Sequence, residues 1–172
     1  DFGDAPDSYM TFERSDGPRH IVNSPDQLWL GQIVDMEHDA SPFTFDPVAD
    51  NLNLGDNVVG AVDEDGVNVV DDIRWEPGAI VPLAIEYVNM SQTEASIHVW
   101  IDFNRDGDFD DLGEYLSMVD LGLDPLGYTG FAGATVNVEV TVPEDVVLGA
   151  SAARFRFSTD ANLGPAGIAP DG

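Results

Sequence analysis

Four stretches of this chain alternate apolar and polar residues with a period of two. No stretch of comparable length repeats with the period of a helix. The clearest run sets Val136, Val138, Val140 and Val142 against Asn137, Glu139 and Thr141. Successive side chains of an extended strand point to opposite faces, so such a run buries one face and wets the other. Val81, Leu83, Ile85 and Tyr87 follow the same rule, as do Ile97, Val99, Ile101 and Phe103, and Ala153, Phe155 and Phe157. Turns rich in Gly, Asp and Asn separate these runs, and Pro143 to Gly149 has room only for a short turn. The pattern predicts an all-β fold, an antiparallel β-sandwich of jelly-roll or Ig-like type. Trp100 alternates with the apolar face of its strand and is expected to cover the other sheet face.

A length of 172 residues suits one domain. We expect a single domain, 1–172, excised from a larger protein, because the chain opens at Asp1 without a leader and closes at Gly172. The segments 1–27 and 35–57 are long, irregular and acidic. Loops of that length are usually functional or disordered.

Charge excludes several functions. There are 33 acidic residues and 6 basic ones, a net charge of −27. Such a surface repels phosphate backbones and anionic membranes, so neither nucleic-acid binding nor membrane insertion is expected. Without cysteine there is no disulfide framework, thiolate metal site or cysteine nucleophile. The acids are 24 Asp against 9 Glu, and every basic residue is Arg. Asp is the short carboxylate of turns and metal loops.

One loop carries the sharpest signal. Asp102, Asn104 and Asp106 occupy positions 1, 3 and 5 of a calcium loop, Gly107 takes the sharp turn at position 6, and Asp108 would offer its carbonyl at 7. Position 12 is Gly113, a departure from the EF-hand, and the nearest carboxylates are Asp110, Asp111 and Glu114. Strand-like flanks place this loop on a β-hairpin. With only Arg105 to compensate them, Asp102, Asp106, Asp108 and Asp110 would repel without a cation. The expected Ca2+ ligands are therefore Asp102, Asn104, Asp106, Asp108, Asp110 and Glu114. A second cation site is expected from Asp35, Glu37, Glu64 and Asp65, which would tie the long loops to the sandwich.

No catalytic motif frames the Ser, His and Asp residues, and His20, His38 and His98 share no ligand spacing, so the chain is not expected to be an enzyme. Arg19-His20 suits an ion pair with the acidic loops ahead of the alternative, a ligand carboxylate. Trp29, Trp75, Tyr115 and Tyr128 are the aromatic candidates for ligand contact.

The opening Asp-Phe-Gly-Asp-Ala-Pro-Asp-Ser-Tyr of residues 1–9 resembles the start of the GEVED-type domain of bacterial extracellular proteins. Arg19-His20, Leu28-Trp29-Leu30-Gly31, Asp35 to Asp39, Asp63-Glu64-Asp65-Gly66-Val67, Trp100 to Glu114 and Ala153 to Asp160 extend the resemblance. The family's closing motif would begin at Gly172. The resemblance implies a β-sandwich in large secreted or surface-anchored proteins, among them adhesins whose calcium-dependent modules bind peptides or glycans on other cells. The expected function is accordingly that of a monomeric, extracellular ligand-binding module holding Ca2+. The alternative is a calcium-stiffened structural spacer with no ligand. An aromatic side chain and the metal loop lying side by side at a surface cleft would separate the two.

Overall fold

The computed structural model describes residues 5–21, 28–31, 39, 44–46, 51–53, 66–70, 74–91, 93–121 and 133–172. Among them run eleven strands and two 3-10 turns, Asp7–Tyr9 and Glu13–Ser15, with no α-helix. The strands are β1 (Arg19–His20), β2 (Leu28–Leu30), β3 (Thr44–Asp46), β4 (Asn51–Asn53), β5 (Val67–Val69), β6 (Ile80–Asn89), β7 (Ala95–Ile101), β8 (Tyr115–Leu121), β9 (Ala134–Thr141), β10 (Ala153–Ser158) and β11 (Ile168–Ala169).

Two antiparallel sheets form the sandwich. In the first, β6 pairs with β9 along its length, from Ile80↔Thr141 to Tyr87↔Ala134. Its other edge is shared by β2 at one end and β5 at the other. The second sheet has the order β10-β7-β8. Inward residues of both sheets meet in one core: Val81, Leu83 and Ile85 from β6, Val140 from β9, Ile97, Val99 and Ile101 from β7, and Phe157 from β10. Each such side chain, fully buried, contributes roughly 1.5–3 kcal/mol. All four alternating runs form strands, and the alternation turns their apolar members toward the core, except Ala153 at the start of β10, which is exposed.

The outer face of the second sheet is not wet. Every residue of β7 is buried, including Ser96, His98 and Trp100 on the face away from the core. Trp100 packs with Phe109 and Ala152 in a second cluster, against which Ala5 and Tyr9 rest. On β10, Arg154 and Arg156 also point outward and are buried. Arg156 donates to the carbonyls of Gly164 (2.7 Å), Ala166 (3.0 Å), Gly167 (2.8 Å) and Arg19 (3.3 Å). Arg154 donates to the carbonyls of Tyr9 (2.9 Å) and Pro165 (2.8 Å), and its guanidinium lies 5.0 Å from the centre of the Phe109 ring. A planar fork of five donors can saturate carbonyls that a turn leaves unpaired. The two arginines thus hold residues 9–19 and 163–167 as a third, irregular layer over the sheet. Burial first, then a neighbouring guanidinium (Arg156 for Arg154, Arg19 for Arg156), lowers both to about 10, so both remain charged at neutral pH.

His20 belongs to the same layer. Its Nε2 lies 3.3 Å from Arg156 Nε, and its Nδ1 lies 2.7 Å from the Asp171 carbonyl. An arginine cannot accept, so Nε2 accepts and Nδ1 carries the proton. Burial first, then the Arg156 charge, lowers His20 from 6.5 to about 4.

Candidate metal centre and the cleft beside it

The loop between β7 and β8 begins where the hairpin register shifts, at Val99/Trp100. Its two phenylalanines fix it from opposite sides: Phe103 enters the main core, and Phe109 enters the second cluster, 4.9 Å from the ring of Tyr9. Between them the chain curls through side chains that accept from the amide two residues ahead. Asn104 Oδ1 accepts from Asp106 N (2.8 Å), Asp106 Oδ1 from Asp108 N (3.4 Å) and Asp108 Oδ1 from Asp110 N (3.0 Å). Short Asp and Asn side chains favour these turns, which is why alternate acids curl a loop. Gly107 sits at φ 97, a conformation that a side chain would strain.

Asp102 organises the loop from within. It is fully buried; Oδ1 accepts from Arg105 N (2.5 Å), and Oδ2 accepts from Gly107 N (3.1 Å) and the Tyr9 hydroxyl (2.7 Å). Burial, then the Asp102 carboxylate, pushes Tyr9 up to about 12, so Tyr9 stays a donor.

Carboxylate oxygens of Asp102, Asp106 and Glu114 lie within 4.8 Å of one another, and so do those of Asp106, Asp108 and Asp111. The Asn104 amide bridges them, donating to Asp106 Oδ2 (3.0 Å) and Asp111 Oδ2 (2.6 Å). Glu114 is buried; its Oε2 accepts from Asp111 N (3.1 Å), and its Oε1 is buried with no hydrogen-bond partner. Burial, then the charges of Asp102, Asp106 and Asp111, raises Glu114 from 4.5 to about 7. Asp111 is pushed up as well, chiefly by its contact with the Asp106 carboxyl. An orphaned carboxylate oxygen among carboxylates is the environment a hard cation relieves, and the donor set is all oxygen, as Ca2+ requires.

The loop residues expected from the sequence therefore come together, with two adjustments. Asp110 is exposed and outside both groups, whereas Asp111 joins one. The sequence ranked Asp111 with its neighbours and gave no reason to prefer it; its role follows from the turn that returns the chain to β8. Tyr9 closes the opening motif 1–9, but at a distance of 93 residues nothing in the sequence points to its contact with Asp102. Asp35, Glu37, Glu64 and Asp65, the expected second site, lie outside the described residues, as do His38 and Tyr128. Of the remaining acids, Asp171 accepts from Ser158 Oγ (2.5 Å), Thr159 N (2.9 Å) and the Thr159 hydroxyl, capping the end of β10. Arg19 pairs with Asp16 at 3.0 Å.

A cleft of about 310 Å³ opens beside the loop, and its walls include both Asp102 and Trp75. The turn 147–152 forms one wall and is bound to the loop at several points. Val147 N donates to Phe103 O (2.9 Å), Asp102 N to Ala152 O (3.1 Å), and the Ser151 hydroxyl to Asp102 O. Arg105 Nε and Nη1 reach the carbonyls of Ala150 (2.7 Å) and Leu148 (3.0 Å). Gly149 gives that guanidinium its space, for a Cβ there would lie 2.3 Å from Nη1. Trp75 is exposed at the rim, Trp29 is half-buried on β2, and Tyr115 is exposed with its hydroxyl 3.2 Å from His98 Nδ1.

No curated protein and no solved structure matches this chain. From Ser96 in β7 through the whole metal loop, both buried arginines and the final turn, residues 96–172 match the family model of the GEVED domain.

Proposed function

We propose that this chain is a calcium-dependent ligand-binding module of a large secreted bacterial adhesin, acting at the cell surface on a peptide or glycan of another cell. The observation that carries the proposal is the cleft whose wall holds Trp75 and Asp102, the first residue of the metal loop, together. Asp102, Asn104, Asp106, Asp111 and Glu114 would hold Ca2+, with Asp108 beside them. The bound ion would neutralise the cluster and hold the loop in one conformation. What this chain's own residues do is transmit that order: Arg105 takes a left-handed conformation, φ 63, that lets its amide bind Asp102 while its side chain holds the 148–150 turn.

The calcium-stiffened spacer is the second reading, favoured by the burial of Asp102 and Glu114, which suits an ion that only reinforces the hairpin. A peptide and glycan array probed in calcium and again in chelator decides between them. Calcium-dependent signals support the adhesin module. A thermal melt raised by calcium with a blank array supports the spacer.

A further inference from the structure

We propose that the cleft beside the metal loop takes an aliphatic or aromatic side chain of an extended, positively charged peptide. This deepens the ligand-binding function proposed above and rests on it.

The walls are the first reason. Ile101, Val142, Val146, Val147 and Leu148 line the cleft with Trp75 at the rim. Only two lining side chains other than Trp75 are polar, Asp102 and Ser151, and both are engaged. Asp102 accepts from two amides and the Tyr9 hydroxyl, and the Ser151 hydroxyl donates to the Asp102 carbonyl. A sugar ring would surrender its hydration to these walls with few groups to replace it, and unpaired hydroxyls are costly to bury. A hydrocarbon side chain loses nothing there. The volume of about 310 Å³ sits at the small end of the range of roughly 300–1,000 Å³ for ligand clefts, a size for one anchor side chain.

Charge is the second reason. Glu76 adjoins Trp75, and Glu144 and Asp145 adjoin Val146; all three are exposed. The turns that carry them touch, since a Cβ on Gly78 would lie 2.7 Å from Glu144 Oε1. Neither ion pair among the described residues, Arg14–Asp7 and Arg19–Asp16, involves them. The nearby Arg105 guanidinium is directed at backbone carbonyls. Arg74, exposed beside Trp75, is the one guanidinium set against these three carboxylates, and an apolar slot so framed, on a chain of net charge −27, is complementary to an apolar residue flanked by Lys or Arg.

The test uses the whole chain in calcium and fluorescein-labelled pentapeptide amides: Lys-Lys-Leu-Lys-Lys, the same with Ala at the centre, and Glu-Glu-Leu-Glu-Glu. Anisotropy is expected to show saturable binding of the Leu peptide. The Ala peptide should bind at least about tenfold more weakly, as loss of a partly buried branched alkyl group requires. The acidic peptide should not bind, and added salt should weaken the Leu peptide. Leu148→Asp, at a position 64% exposed, should abolish binding with the melting temperature unchanged, and Trp75→Ala should abolish it as well. Equal binding of the Leu and Ala peptides, unaltered binding by L148D, or displacement by methyl glycosides would overturn the assignment. Binding of the Leu peptide equally in calcium and in chelator would keep the cleft assignment and overturn the calcium dependence. Calcium-dependent glycan binding without peptide binding would do the reverse.

Discussion

Replacing Glu114 by Gln isolates the metal's contribution, because it raises the stability of the metal-free chain while shrinking the gain that the ion brings. In the metal-free protein the Glu114 carboxylate is buried, with Oε1 unpartnered and the carboxylates of Asp102 and Asp106 no more than 4.8 Å away. Two unit charges at that distance repel by about 3.5 kcal/mol at an effective dielectric near 20. The rise of the carboxyl from 4.5 to about 7, caused by burial first and by these charges after it, measures the combined penalty. At roughly 1.4 kcal/mol per pH unit, keeping Glu114 ionised at pH 8 costs the folded state about 3 kcal/mol. Gln keeps an oxygen for the Asp111 amide and presents N–H donors to the facing carboxylates. E114Q in chelator at pH 8 should therefore be more stable than the native chain by about 2–3 kcal/mol, or roughly 4–12 °C for a domain of this size. With calcium at a hundred times its Kd, the native chain gains about 2.7 kcal/mol; a tenfold weaker variant gains only about 1.4 kcal/mol. Differential scanning calorimetry in chelator and in calcium reads both numbers. The reasoning is refuted if E114Q melts lower than the native chain in chelator and its calcium-induced rise is undiminished.

Three other outcomes follow from the same geometry. His20 is held neutral, so its contribution is complete above its ordinary value of 6.5 and is lost as pH falls toward about 4, where the unfolded chain binds the extra proton; the loss is capped at roughly 3 kcal/mol, and denaturant melts of His20→Gln should lack that component of the native chain's pH dependence. Arg156→Lys cannot serve four carbonyls and His20 with three donors, and urea unfolding should show a loss of about 2–3 kcal/mol. Gly149→Ala drives a Cβ into the Arg105 guanidinium at a φ of 137; a stability loss of about 1–3 kcal/mol is expected by thermal melt, with weaker peptide binding as the 148–150 wall shifts.

The sequence showed the sandwich because its strands obey a local rule. Val136 to Val142 and Ile97 to Ile101 alternate, and β9 and β7 face the core accordingly. The calcium loop was readable for a similar reason: Asp102, Asn104, Asp106 and Gly107 follow a spacing dictated by the curl itself. What was hidden depends on distant chain. Arg154 and Arg156 alternate with Phe155 and Phe157 and so read as a wet face. They are buried because the segments at 9–19 and 163–167 cover them with backbone carbonyls, which leave no mark in side-chain pattern. The parallel pairing of β1 with β11 joins Arg19 to Ile168 through only two residues of each strand, too short for any period. Trp75 gave no sign of sharing a cleft with Asp102, since the walls come from chain as far apart as Trp75, Asp102, Val147 and Ala152.

The most direct test of the account is isothermal titration of calcium into chelator-stripped protein, with Asp106→Ala as the comparison. Asp106 is exposed and belongs to both carboxylate groups, so its loss should cripple the site without unfolding the chain. The prediction is saturable binding to the native chain and at least a tenfold weaker isotherm for D106A. A flat titration of the native chain, or identical isotherms for the two proteins, would contradict a calcium centre in the 102–114 loop.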